Sequence, residues 1–198
     1  MSFVSFVSFV SFVSFVVQSL AELQKTMPVE IERKFLVADD TWRRDVSKSE
    51  RMAQGYLSGP PARCSVRVRI AADVAHLNIK SVTHGVERDE YEYAIPLADA
   101  ERLLATLAGN RVEKLRHHVE MGRHLFEIDE FLGDNAGLIV AEVELAHADE
   151  EFPRPRWLGR EVSDLARFYN LNLATYPYSR WSAEEKASAD AARPSEQA

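Results

Sequence analysis

Residues 28–37, PVEIERKFLV, repeat with a period of two. Side chains alternate across a β-strand, so Glu30, Glu32 and Lys34 share one face and Val29, Ile31, Arg33 and Phe35 the other. The same oddity, a charged face on a strand, returns down the chain. Arg67 and Arg69 share a face, as do His76, Asn78 and Lys80, then Arg88, Glu90 and Glu92, then Lys114, Arg116 and His118, then Glu127 and Asp129, and last Glu142 and Glu144. The opposite faces carry Val66 and Val68, Leu77 and Ile79, Tyr91 and Tyr93, Val143 and Leu145, and less regularly Leu125 and Ile128. One wet face is ordinary for an antiparallel sheet and accounts for any single strand. It does not account for the set. The polar faces are dominated by Arg, Lys, Glu and Asp, and acids and bases segregate by strand. A closed or nearly closed barrel would turn these faces inward and pack the apolar faces outward against helices.

Turn residues divide the rest. RMAQGYLS reads as a second strand ended by GPP. CSVRVRIA and VAHLNIKS form a hairpin around Ala72 and Asp73, and VERDEYEYAIP is a long strand stopped at Pro96. TWRRDV is a short helix or turn. LADAERLLATLAG has helical spacing, with Leu97, Leu103, Leu104 and Leu107 on or near one side and Gly109 as its stop. RVEKLRHHVEM and RHLFEIDEFLG pair through Gly122, GLIVAEVELAH is the last strong strand, and residues 163–174 read as a helix. The expected class is α+β: an eight-stranded antiparallel β-barrel with a charged interior and a few helices outside.

A chain of 198 residues, 46% hydrophobic, builds one domain with a real core. The single cysteine, Cys64, excludes an intramolecular disulfide and suits a reducing, cytoplasmic setting. A formal net charge of −7 argues against a general nucleic-acid binder. The opening repeat SFVSFVSFVSFVSFV lacks the charged start and small-residue cleavage site of a signal peptide. Serine at every third position makes it a poor membrane helix. It reads as translation upstream of a start at Met27 or as disorder, so residues 1–26 form a low-complexity extension, 27–180 the domain and 181–198 a polar disordered tail. His76 and His118 face inward by parity and read as hydrogen-bonded barrel histidines, while His117 faces outward. Trp157 and Trp181 read as packing residues and Cys64 as an unreactive thiol.

A charged interior is costly unless its charges are paired or bind ions. The acidic pairs offer oxygen ligands suited to Mg²⁺ or Mn²⁺. The basic pairs suit phosphate oxygens, and their number points to a ligand with several phosphates.

EIERKFLV, QGYLS, VRVR, NIKS, ERDEYEY, VEKLRH, FEIDEF, AEVEL and WLGREV…YNLNLA, in this order over residues 28–178, resemble the CYTH superfamily, also called triphosphate tunnel metalloenzymes, in its short single-domain bacterial branch. The resemblance implies an eight-stranded tunnel and a metal-dependent hydrolase acting on inorganic triphosphate or short polyphosphate. It implies that Glu30 and Glu32 bind the metal, helped by Glu142 and Glu144. Lys34, Arg67, Arg69, Lys80, Lys114 and Arg116 would hold the polyphosphate, with Arg88, Glu90 and Glu92 lining the tunnel and Arg88 adding to the phosphate contacts. Glu127 and Asp129 would be metal ligands or partners of the basic groups. Tyr56 would act with Lys34 on the attacking water, Lys34 lowering its pKa or the pair orienting the water. A class IV adenylate cyclase, a thiamine triphosphatase and a polyphosphate-binding module without turnover are the alternatives. Short members of such families can form homodimers, although no interface motif is visible here.

Overall fold

The computed structural model describes residues 29–58, 62–81, 87–109 and 111–190. The expected extension over residues 1–26 and the tail from 191 onward lie outside the described residues. Nine antiparallel strands form one sheet: β1 (Val29–Val37), β2 (Val46–Ser58), β3 (Cys64–Ala71), β4 (Val74–Ser81), β5 (Glu87–Ile95), β6 (Arg111–Met121), β7 (His124–Phe131), β8 (Ile139–Leu145) and β9 (Leu158–Glu161). Their order is β5-β4-β3-β2-β6-β7-β8-β1-β9, and β5 also pairs with β1. Strand β1 runs along β8 from Ile31↔Leu145 to Leu36↔Val140. Its other edge is divided: β5 takes Val29–Ile31, and β9 takes the stretch around Phe35 and Val37. The eight expected strands therefore meet through a seam only three residue pairs long, and a ninth strand adds to the same edge.

That ninth strand was not foreseen because four residues are too few to show an alternation. Gly159 makes it possible. A Cβ there would lie 2.8 Å from the Leu36 carbonyl oxygen, so only glycine lets β9 approach β1 this closely.

The outward faces build the core as the alternation predicts. Ile31, Phe35, Phe126, Ile128, Val143 and Leu145 cluster with Trp42 and Trp157. Helix α1 (Leu97–Thr106) covers Val68 and Ala75 with Ala100 and Leu104. Where the chain leaves this helix it crosses Gly55, whose missing Cβ would sit 2.6 Å from the Ala108 Cβ. Leu107, expected on the buried side, is exposed because the helix ends at Thr106. Tyr91 and Tyr93 lie on the outward face but are exposed.

The inward face is not charged along its whole length. Leu36, Val112, Phe131 and Val140 share the parity of Lys34, Lys114, Asp129 and Glu142. They pack with Val162, Phe168, Leu173, Ala174 and Trp181 from the C-terminal segment. The charged interior thus ends in an apolar plug. The plug explains why residues 163–174 are not one helix. A 3₁₀ turn (Ala166–Phe168) and helix α2 (Asn170–Thr175) are separated by Tyr169 in an extended conformation, φ −74° and ψ 136°. That break lets both Phe168 and Leu173 turn into the plug. Trp181 is buried there, and helix α3 (Ala183–Asp190) follows it, so ordered structure continues into the expected tail. No helix among the described residues is long and apolar enough to cross a membrane.

Candidate active site

The alternation brings the inward charges of separate strands together, and it sorts them into two walls. The first is built by β1, β6, β7 and β8. Lys34 bridges Glu32 and Glu142. Arg116 grips Asp129 with two bonds of 2.7 Å, from Nε to Oδ1 and from Nη2 to Oδ2. Its Nη2 also donates to Glu142 at 2.6 Å, and its Nη1 pairs with Glu127. Lys114 closes the set on Asp129. Asp129 is fully enclosed, and Lys114 and Glu142 keep 2% and 5% of their surface. Register accounts for these contacts, because Arg116 lies opposite Asp129, Glu127 opposite Glu142, and Lys34 opposite Glu142. Burial pushes the Glu142 carboxyl up, but Lys34, Arg116 and Lys114 together hold it well below the usual range. Burial also works against the charge on Lys34, yet Glu142 and Glu32 hold its pKa above the ordinary lysine value. For Lys114 the balance is reversed: burial and neighbouring Arg116 outweigh Asp129 and lower it.

The second wall is built by β3, β4 and β5, with Tyr56 of β2 at its margin. Arg69 donates to Glu92 at 2.6 Å, and Lys80 pairs with Glu90 at 2.9 Å. Arg67 stands 3.7 Å from Glu90, and His76 stands 3.7 Å from Glu92. The amide of Asn78 donates to Glu90 at 2.8 Å and to Glu92 at 2.5 Å. The Nε atoms of Arg67 and Arg69 are buried without a hydrogen-bond partner. Tyr56 lies opposite Arg67 and takes a 3.3 Å bond from the Gln54 amide. Burial raises the Tyr56 pKa, and Arg67, Lys80 and Lys34 offset this only in part. Lys34 pulls this pKa down, as the sequence suggests, but burial is the larger effect and the net direction is up.

Every expected site residue with a described side chain lies on these walls or at their edge. Glu30 and Arg88 are backbone partners across the β1–β5 seam, but their side chains lie outside the described residues. Glu144 sits exposed, opposite Glu32. His118, expected to be hydrogen-bonded, has its Nε2 buried without a hydrogen-bond partner, 3.5 Å from Glu50 and 3.9 Å from Glu127, while His117 faces outward against Trp42. Glu50 was missed because strand β2 starts five residues earlier than its sequence suggests. Ser163 was also missed. Its hydroxyl accepts the Lys34 backbone N–H at 2.9 Å and donates to Glu161 at 2.8 Å, and no local pattern announces that role.

Among the described residues, no three His, Cys, Asp or Glu side chains are gathered as a ready ligand set for a metal. The reason is local: Glu127, Asp129 and Glu142 are all drawn onto Arg116, and Glu32 onto Lys34. The donor chemistry nevertheless fits a divalent cation at one place. Glu32 and Glu144 are directly opposed across β1 and β8, a like-charge pairing that is unfavourable unless positive charge lies nearby. Both are oxygen donors, and Glu30 is two residues from Glu32 along the same strand.

The comparisons with known proteins agree with this architecture. Residues 28–172 match the CYTH domain model. An inorganic triphosphatase of Acetivibrio thermocellus is 40% identical over 156 residues, covering 78% of this chain and 99% of that protein. An inorganic triphosphatase of Nitrosomonas europaea is 36% identical over 148 residues, covering 73% and 96%. A crystal structure of an inorganic triphosphatase superimposes with a TM-score of 0.56 at 35% identity, covering 75% of this chain and 95% of that one. A sheet of antiparallel strands with an ionic interior and this extent of match leave one assignment: the chain belongs to the CYTH domain family.

Proposed function

We propose that this protein hydrolyses inorganic triphosphate, with water attacking a terminal phosphorus and pyrophosphate and phosphate leaving, assisted by Mg²⁺ or Mn²⁺. The unequal charging of the two walls carries this reading. The wall of β1, β6, β7 and β8 sets Glu32, Glu127, Asp129 and Glu142 against Lys34, Lys114 and Arg116. Among the described side chains, the wall of β3, β4 and β5 sets Arg67, Arg69 and Lys80 against Glu90 and Glu92. A ligand of several phosphates is attracted to the second wall, and a divalent cation to the acidic edge of the first. The relatives named as inorganic triphosphatases support the same substrate.

In this reading Arg67, Arg69 and Lys80 hold the phosphate oxygens, with Arg88 joining them from β5. Glu30, Glu32 and Glu144 hold the metal, with Glu127 and Glu142 behind them. When bound, the metal neutralises charge on the phosphoryl oxygens. Lys34 holds Glu32 and Glu142 in place and brings a positive charge to the transferred group. Asp129 serves the basic groups: it fixes Arg116 and keeps Lys114 buried. Tyr56 orients the attacking water as a hydrogen-bonding phenol, since a loose phosphoryl-transfer transition state needs positioning more than a strong base.

The test is a panel of inorganic triphosphate, ATP and thiamine triphosphate with Mg²⁺ or Mn²⁺, read as phosphate release and cyclic AMP formation. Triphosphate is the expected preferred substrate, and Glu32→Gln is expected to lose metal-dependent turnover while remaining folded. Cyclic AMP formation, a preference for thiamine triphosphate, or binding without turnover would each overturn the proposal.

A further inference from the structure

One side chain on the cation-rich wall has no role in the reading above. Asn78 lies in the middle of β4, fully buried, with Arg67 opposite it on β3 and Glu92 opposite it on β5. Its amide nitrogen carries two protons and spends them on two different carboxylates, Glu90 at 2.8 Å and Glu92 at 2.5 Å. The chemistry fixes the orientation of the amide, because the oxygen turned the other way would face two anions with nothing to donate. The Oδ1 atom is buried with no hydrogen-bond partner. An unsatisfied buried acceptor is costly, so the two bonds on the nitrogen side must hold the group where it is.

Those two carboxylates carry the cations of the wall. Glu90 pairs with Lys80 at 2.9 Å and stands 3.7 Å from Arg67. Glu92 takes the 2.6 Å bond from Arg69 and stands 3.7 Å from His76. One neutral amide therefore ties together the anchors of three cations. Its neutrality matters. A lysine at this position would satisfy Glu90 and Glu92 and release the arginines from them, and an aspartate would add a third anion to the wall.

We propose that Asn78 is the positioning residue of the triphosphate-binding wall: by clamping Glu90 and Glu92 it aims Lys80, Arg67 and Arg69 at the phosphate oxygens without altering the charge of the wall. This rests on the proposed triphosphatase reading. Asn78 acts through the carboxylates and does not touch the substrate, so its loss should appear in binding.

The experiment compares the full chain with its Asn78→Leu and Asn78→Ala variants, neither of which changes the charge of the wall. KM for inorganic triphosphate and its calorimetric dissociation constant are expected to rise by about tenfold or more, the effect of losing charge-assisted bonds. The maximal rate should stay within about threefold, as expected for an interaction made equally in ground and transition states. The metal concentration for half-activation should not move, because the metal lies against the other wall. Folded variants that bind triphosphate as the wild type does, or that lose only resistance to urea, overturn the proposal. If Asn78→Leu fails to fold, Asn78→Ala decides by the same readouts. A wild type that binds but does not turn over triphosphate refutes the function and leaves the dissociation constants to judge Asn78.

Discussion

The two walls use the same residue types at the same two-residue spacing, and they behave differently. On the wall of β1, β6, β7 and β8 the buried carboxylates are spoken for. Asp129 takes Lys114 and both faces of the Arg116 fork, and Glu142 takes Lys34 and Arg116. On the wall of β3, β4 and β5 Arg67 stands 3.7 Å from its acid, Arg67 and Arg69 each keep a buried Nε without a hydrogen-bond partner, and among the described side chains Arg67, Arg69 and Lys80 face Glu90 and Glu92. Spacing alone does not distinguish structure from binding. Saturation does: a charge whose donors are all met and fully enclosed holds the barrel together, and one with donors to spare can take a ligand's oxygens.

The sharpest way to break this comparison is to remove the centre of the saturated wall. Asp129→Ala leaves Lys114 buried without its paired carboxylate and removes two of the four bonds of Arg116, which keeps Glu127 and Glu142. Removing one partner of a buried ion pair costs about 3–5 kcal/mol. Urea unfolding of the variant should show a loss of that size. A loss below about 1 kcal/mol, the usual worth of an exposed pair, would mean that the wall is wet and the distinction false.

Acid should find the same wall next. The Glu142 carboxyl is held below its ordinary value in the folded chain by Lys34, Arg116 and Lys114, against the effect of burial. The unfolded chain therefore binds the proton more readily. Stability from this group is complete above the ordinary carboxylate value of about 4.5 and is lost as the pH falls below it toward the depressed folded value. Lys34 is raised, so its contribution is fully present throughout this acid range. The urea midpoint of the wild type should fall as the pH drops from about 5 to 3, and Glu142→Gln should flatten that slope. An unchanged slope in the variant would place the acid sensitivity elsewhere.

Much of this was legible in the chain. The period-two alternation from Glu30 to Glu144 set the parity of each inward charge, and parity survives errors in strand ends. What was not legible depends on long-range proximity. Nothing local says that Arg116 will collect Glu127, Asp129 and Glu142 from two other strands, or that Asn78 will lie between Glu90 and Glu92. The apolar plug was hidden for a related reason. Leu36, Val112, Phe131 and Val140 read as strand ends until the segment carrying Phe168, Leu173 and Trp181 folds back on them. Strand β9 and the break at Tyr169 are both consequences of that return, set by packing rather than by propensity.

The smallest expected effect is the one that isolates the binding wall. Arg67→Ala removes a guanidinium whose nearest acid is 3.7 Å away and whose Nε has no partner. The guanidinium gives the fold one long ion pair and a bond to Tyr56, and its removal relieves a buried, unmet Nε, so stability should stay within about 1 kcal/mol of the wild type. Its worth lies in contacts to a bound anion. Losing one charge-assisted bond of the kind arginine makes to phosphate should raise KM for triphosphate about tenfold. Glu90 would keep Lys80 and Asn78, so the carboxylate is not stranded by the change. The decisive feature is the crossing of effects: Asp129→Ala costs stability, and Arg67→Ala costs affinity at nearly constant stability. Should Arg67→Ala unfold the chain as readily as Asp129→Ala, both walls would be structural supports and the substrate would have to bind elsewhere.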